Sequence, residues 1–307
     1  MSASKLGPSD PVEVTSRVAA RYLFAPTQKD NKYTRSVVQL VTGSKTYPGA
    51  AVLSVSGALS AGATLCRYVG PSKVRSLVLA AAPEVVAAKG WFHAGLVGCG
   101  FDEGAREKVL EMGTQAGDLG APLVVDAGAI ALWEELAARG ARTLVLTPHA
   151  GEAALLWRSL DETRPENLST WIGENPVASA STLADLTGAI VVLKGSRTVV
   201  ASPTGEVFSV RAPSGWAGTA GSGDVLAGVI TTAVGANRGG DVEAVASAVA
   251  TGAYLHAIAG GVASNTTTPF GEPTGSVGHP IVASQIAGAL PRVVQAVLDT
   301  RRGATRP

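Results

Sequence analysis

Short, almost uninterrupted apolar runs recur along this chain, spaced so that one helix fits between most neighbours, and few folds accept that pattern. The runs lie at 37–41, 76–80, 96–97, 123–126, 143–146 and 190–193. Helices are predicted between most of them, over 49–68, 103–119, 130–138 and 150–160. A strand that is apolar on both faces needs cover on both faces, and helix-length connections suit crossovers between parallel strands. The predicted fold class is therefore α/β: three layers, with a mostly parallel central sheet and helices on both faces. After residue 193 the pattern changes. Residues 198–201 and 206–210, separated by Pro203-Thr204-Gly205, predict an antiparallel hairpin. Further helices are predicted at 11–22, 222–234, 242–259 and 281–298, and 161–176, with Pro165 and Pro176, reads as a surface excursion.

A length of 307 residues is near the upper limit for a single core, so one large domain is expected. Lys plus Arg number 25 against 24 Asp plus Glu, a net charge of +1. Such a balance offers no surface for a polyanion, and nucleic acid is not expected as a partner. Cys66 and Cys99 lie far apart and outside any metal-ligand spacing, which fits buried thiols in a reducing compartment. The first residues lack the apolar run of a signal peptide. Residues 244–264 carry no Asp, Glu, Lys or Arg and are long enough to span a bilayer. They are rich in Ala, Gly, Ser and Thr and include His256, so a buried core helix is expected, with no membrane partner and a cytoplasmic location.

In an open parallel sheet, ligands bind beyond the carboxyl ends of the strands. Those ends read Thr42-Gly43-Ser44, followed by Tyr47-Pro48-Gly49-Ala50-Ala51; Gly98-Cys99-Gly100; Asp126-Ala127-Gly128; Thr147-Pro148-His149-Ala150-Gly151-Glu152; and Lys194-Gly195-Ser196-Arg197-Thr198. Any one of them is compatible with plain turn chemistry. Downstream lies Gly218-Thr219-Ala220-Gly221-Ser222-Gly223-Asp224, opening into an apolar run. Glycines allow close backbone approach to a ligand, and the first amides of a helix lack internal acceptors and attract anions. A carboxylate beside a phosphate nest repels phosphate, unless its task is to take a proton from a hydroxyl that attacks the phosphate. An N-cap aspartate on a buried helix would leave the same trace.

The set Thr147-Pro148-His149-x-Gly151-Glu152, Leu193-Lys194-Gly195-x-x-Thr198 and Thr219-x-Gly221-Ser222-Gly223-Asp224-Val225-Leu226-x-Gly228 resembles the ADP/ATP-dependent NAD(P)H-hydrate dehydratase family. Lys32-x-x-Arg35, Gly43-Ser44 and Tyr47-Pro48-Gly49-Ala50-Ala51 resemble its opening segment, and the resemblance runs from about Lys32 to Pro291. The glycine-Asp loop is shared with the wider ribokinase-like superfamily; the Tyr-Pro-Gly-Ala and Thr-Pro-His elements are more specific.

The resemblance implies a ribokinase-like domain without a lid, in a stand-alone form lacking the epimerase domain. The division expected is an N-terminal helix and lead-in at 1–31, the dehydratase domain at 32–299, and a basic, disordered tail at 300–307. The implied partners are hydrated NADH or NADPH and an adenine nucleotide, with Mg2+ as cofactor and a homotetramer as the assembly. In the implied reaction the ring hydroxyl of the S hydrate is phosphorylated, with ADP (or ATP) as donor, and phosphate is then eliminated.

Carried over by position, Ala50, Gly100, His149 and Asp224 would face the hydrated dinucleotide. Lys194, Gly195, Ser196, Arg197, Thr198 and Gly223 would hold the AMP portion. Asp224 is the candidate base, with Gly221, Ser222 and Gly223 as the anion hole. No direct metal ligand is assigned; Glu152 could act on Mg2+ through water, or simply favour the helix dipole.

Three positions depart from the family pattern: Gly98-Cys99-Gly100-Phe101-Asp102 for the frequent Gly-Pro-Gly-Leu-Gly, Asp126-Ala127-Gly128 for Asp-Ala-Asp, and Ser214-Gly215-Trp216-Ala217 without the usual Asn-Pro. Two alternatives stay open: a kinase for a small hydroxymethyl vitamin precursor, and a nucleotide-binding protein that has lost turnover.

Overall fold

The computed structural model describes residues 10–160, 165–237 and 240–304, with the side chains of 303 and 304 excepted. In chain order the strands are β1 (Val12–Glu13), β2 (Val37–Val41), β3 (Leu65–Tyr68), β4 (Ala94–Val97), β5 (Leu123–Val125), β6 (Leu144–Leu146), β7 (Ile190–Leu193), β8 (Arg197–Ala201) and β9 (Val207–Arg211). They form one sheet in the order β1-β9-β8-β7-β6-β5-β4-β2-β3. Pairing is parallel from β3 through β7 and between β1 and β9. Only β8 runs antiparallel to its neighbours, as the hairpin at Pro203-Thr204-Gly205 predicts.

The strands are buried on both faces, and alternate residues feed two separate cores. Val38 and Leu40 of β2 join one core; Val37 and Val41 join the other. The first core is closed by α1 (Ser16–Ala19), α2 (Pro48–Ser60), α3 (Ser72–Ala81), α9 (Ser222–Ala236), α10 (Val242–Ala263) and α11 (Ala283–Ala304). The second is closed by α4 (Arg106–Leu119), α5 (Trp133–Ala138), α6 (Ala150–Leu160), α7 (Leu168–Glu174) and α8 (Pro176–Thr187). This is the expected three-layer α/β arrangement. The helix α10 is long and apolar enough to cross a membrane, but 94% of its most apolar window is buried within the protein.

The small residues of α2 and α9 have a packing reason. A Cβ on Gly57 would stand 2.4 Å from the Val225 carbonyl oxygen, and one on Gly228 would stand 2.1 Å from that of Ser54. The two helices therefore touch backbone to backbone. Their N-termini, at Pro48 and Ser222, open at the same end of the sheet as the carboxyl ends of β2 and β4–β7.

Four local expectations need correction. Residues 76–80, read as a strand, belong to α3, which packs Val74 and Val78 inward while Leu77 is exposed. The helix predicted over 49–68 stops at Ser60. Gly62, at φ +103°, turns the chain and the edge strand β3 follows. The helix predicted at 11–22 is shortened to Ser16–Ala19, because Val12 and Glu13 pair with Phe208 and Ser209 of β9 and Thr15 caps the helix. Finally, the basic end expected as a disordered tail is helical as far as Ala304. The Arg301 guanidinium donates to the carbonyls of Ala20, Arg21 and Leu23 and stacks on Phe24. Residues 305–307 lie outside the described residues, as does 161–164 of the predicted surface excursion; of that excursion's remainder, 168–174 is helical.

Candidate active site

The carboxyl ends of β4, β5, β6 and β7 bring four chemical groups together beneath the N-terminus of α9. Asp126, directly after β5, is almost fully buried, at 2% exposure. Its Oδ1 accepts from the Thr147 hydroxyl at 2.6 Å and from Lys194 Nζ at 2.8 Å. Its Oδ2 accepts from the Cys99 thiol at 3.4 Å. The two strand ends that carry Thr147 and Lys194 are tied to each other, since Lys194 N donates to the Pro148 carbonyl. A buried carboxylate needs such partners, because desolvation would otherwise neutralise it.

Lys194 is more than a turn residue. Its ammonium pairs with Asp126 and lies 3.7 Å from Glu152 Oε2. Burial works against the charge, yet the two carboxylates outweigh it and hold the Lys194 pKa above its usual value. A Cβ on Gly223 would stand 3.6 Å from Lys194 Nζ, so the cation reaches the first turn of α9.

The loop before α9 is built as its glycines imply. Gly221 is the N-cap at φ +84°, a conformation that L side chains rarely adopt. A side chain there would also strike Leu53 at 2.3 Å. Ser222, Gly223 and Asp224 form the first turn; the Ser222 N–H is donated to the Thr219 carbonyl at 3.2 Å, and those of Gly223 and Asp224 lack acceptors inside the helix. Asp224 is half-buried. Burial first, and then the Asp126 charge, push its pKa up to about 6, while Lys194 and a hydrogen bond from Cys99 pull the other way.

The remaining predicted residues fall on two sides of this centre. Gly100 lies against Ala50 and Tyr47: a Cβ on it would meet the Ala50 Cβ at 2.7 Å and the Tyr47 Cβ at 2.9 Å. His149 is exposed at the end of β6, bridged to Lys194 rather than to that pair; its Nδ1 accepts from Gly151 N at 3.0 Å, and its backbone N–H donates to Glu152 Oε2 at 2.8 Å. Lys194, Gly195, Ser196 and Thr198 line a cavity of about 630 Å³ together with Ser222 and Gly223, large enough for a small-molecule ligand. Arg197 is exposed, and its guanidinium is tied to the Ser209 hydroxyl at 3.2 Å.

Two residues that the sequence reading left without a role belong to this centre. His256 of α10 lines the same cavity, with Nε2 3.0 Å from the Ser222 carbonyl oxygen and 3.2 Å from its hydroxyl. Burial lowers its pKa to about 4, so it is a neutral ring whose Nε2–H donates to the Ser222 carbonyl. Cys99 is fully buried between the two carboxylates. Periodicity along α10 marks His256 only as a core position, and nothing local distinguishes Cys99 from a packing thiol.

A mostly parallel sheet covered on both faces, with a glycine-rich helix start and a group of carboxylates at the carboxyl ends of its strands, is the arrangement of a ribokinase-like α/β fold. Solved structures agree on the fold. An ADP/ATP-dependent NAD(P)H-hydrate dehydratase from Bacillus subtilis, co-crystallised with ATP/Mg2+, superposes with a TM-score of 0.72 at 22% identity, over 94% of this chain and 98% of that one. A ribokinase-like superfamily protein from Enterococcus faecalis gives 0.73 at 20% identity, over 96% and 99%. The NAD(P)H-hydrate dehydratase family matches residues 38–279, well over half of the chain. The chain belongs to that family.

Among curated relatives, the bifunctional NAD(P)H-hydrate repair enzyme Nnr of Mycobacterium tuberculosis is 40% identical over 222 residues, 69% of this chain and 43% of the relative. The ADP-dependent (S)-NAD(P)H-hydrate dehydratase of Neisseria meningitidis is 31% identical over 264 residues, 78% of this chain and 80% of the relative. The chain thus spans less than half the length of the bifunctional mycobacterial relative.

Proposed function

We propose that this chain dehydrates the S form of hydrated NADH or NADPH at the expense of a nucleotide, with ADP (or ATP) as phosphoryl donor. The carrying observation is Asp224: a half-buried carboxylate at the lip of an anion loop, its pKa pushed up to about 6. A group tuned toward neutrality at such a place is suited to take a proton from a hydroxyl as the hydroxyl oxygen attacks phosphorus.

With ADP, the ring hydroxyl oxygen bonds to the β-phosphorus, the bond to the AMP oxygen breaks, and the hydroxyl proton passes to Asp224. Gly221 and Gly223 present backbone N–H groups to the transferring phosphoryl oxygens, and Ser222 joins them by giving up the bond its N–H makes to the Thr219 carbonyl at 3.2 Å. Lys194 carries positive charge to the same turn. The phosphate then leaves with the C–O bond electrons, and loss of a proton from the neighbouring ring carbon restores the double bond. The products are the reduced dinucleotide, AMP and phosphate.

In this reading Ala50, Gly100 and His149 face the hydrated dinucleotide, and Lys194 to Thr198 with Gly223 hold the AMP portion. The ADP dependence of the Neisseria relative and the ATP/Mg2+ in the Bacillus crystals support the nucleotide. The oxygens of Glu152 already face His149 and Lys194, so Glu152 fits Mg2+ only through water. Bound in that way, Mg2+ would neutralise charge on the nucleotide phosphates. The enzyme acts in the cytoplasm as a homotetramer.

The test supplies hydrated NADH, ADP or ATP, and magnesium, and follows reduced-nicotinamide absorbance. Recovery of absorbance with release of AMP or ADP is expected. Phosphorylation of a pyrimidine or pyridine alcohol without recovery would replace this reading with a vitamin-precursor kinase, and nucleotide binding with neither would leave a protein without turnover.

A further inference from the structure

Gly98 ends β4 at φ +105°, and a Cβ there would stand 2.1 Å from the Asp126 carbonyl oxygen. The ends of β4 and β5 are therefore pressed together, and the next side chain, Cys99, is fully buried between the two carboxylates. Its Sγ and one oxygen each of Asp126 and Asp224 all lie within 4.8 Å of one another. Three such atoms suggest a cation, but the Lys194 ammonium 2.8 Å from Asp126 already supplies the positive charge. Burial, followed by the charges of Asp126 and Asp224, holds the thiol well above its usual pKa, so it remains S–H. The arrangement sets one thiol proton between two carboxylates. One thiol carries one proton and can serve one carboxylate at a time. As it stands the S–H is donated to Asp126 at 3.4 Å, and an Asp224 oxygen lies within 4.8 Å of the same sulfur; Asp126 keeps Thr147 and Lys194 when the S–H turns away.

We propose that Cys99 is a positioning residue of the reaction: its single S–H shifts between Asp126 and Asp224 and holds Asp224 in the ionised, proton-accepting state. The inference rests on reading Asp224 as the base. No covalent step involves the sulfur, which keeps its proton throughout. Facing Asp224 are Asp126 from the end of β5, Lys194 from the end of β7 and Cys99 from the end of β4. Glu152 of α6 reaches the group through Lys194, the neutral His256 of α10 is turned to Ser222, and the Gly221 turn rests on the uncharged Leu53 of α2 and Ala283 of α11.

The experiment compares wild type, Cys99→Ser and Cys99→Ala by two readouts. One is the 13C NMR titration of the Asp224 carboxyl, which needs no turnover; the other is the pH dependence of turnover on hydrated NADH. Loss of the donor in Cys99→Ala should raise the Asp224 midpoint by about half a pH unit or more, since a hydrogen bond to the charged form lowers a carboxyl pKa. The hydroxyl of Cys99→Ser should bring it back toward wild type, with the acid limb of turnover moving in parallel. Identical midpoints in the three proteins would overturn the inference, whatever happens to the rate. Midpoints that move in a protein inactive on hydrated NADH would keep the thiol bridge and reject the reaction. If Cys99→Ala does not fold, Cys99→Val removes the same donor while filling the space.

Discussion

The end of β5 and the start of α9 each present one aspartate to the same small space, and the two are provided for in opposite ways. Asp126 is buried under three donors, from Thr147, Lys194 and Cys99. It holds the Lys194 ammonium in place at 2.8 Å. Asp224 stands at a helix N-terminus within 4.8 Å of the same thiol, and burial together with its neighbour's charge pushes its pKa up to about 6. A carboxylate saturated with donors is poor at accepting a further proton; one left under-served is good at it. In the proposed reaction that difference fits Asp126 for anchoring Lys194 and Asp224 for proton transfer.

That contrast breaks most severely at Asp224. Asn there keeps the shape and removes the base, so turnover on hydrated NADH should fall by roughly 10²–10⁴-fold. Nucleotide affinity, measured by calorimetry, should stay near wild type. The mirror change is Lys194→Met, which strands Asp126 as an uncompensated buried charge. Denaturant unfolding should show a loss of about 3–5 kcal/mol, with nucleotide binding lost as well. The smallest effect belongs to the support behind the loop. His256→Phe removes the hydrogen bond to the Ser222 carbonyl, and that should cost about 1 kcal/mol in nucleotide binding, read as a roughly fivefold rise in Kd.

The same contrast explains what the sequence made legible. The glycine-Asp run could be read directly, because a φ of +84° at Gly221 and exposed helix-start amides are properties of local chain chemistry. The three-layer α/β class follows from alternating apolar runs, since each fully buried strand demands cover on both faces. Errors came where one pattern fits two elements. Residues 76–80 are apolar enough for a strand, yet only one side of that segment packs inward, as in α3. The edge strand β3 was absorbed into a predicted helix because the turn between them is brief. Cys99 and His256 were illegible for another reason. Their roles depend on strand ends pressed together at Gly98 and on α10 docking against Ser222, contacts between segments far apart in sequence.

The central claim is that Asp224, tuned by Asp126, is the proton acceptor. Its most direct test is the pH–rate profile of hydrate dehydration in wild type and in Asp126→Asn. Wild-type turnover should fall on the acid side with a midpoint near pH 6, where Asp224 takes up its proton. Removing the neighbouring negative charge should move that midpoint to lower pH. A wild-type profile flat through pH 6, or a midpoint that stays in place when Asp126 is neutralised, would contradict the assignment.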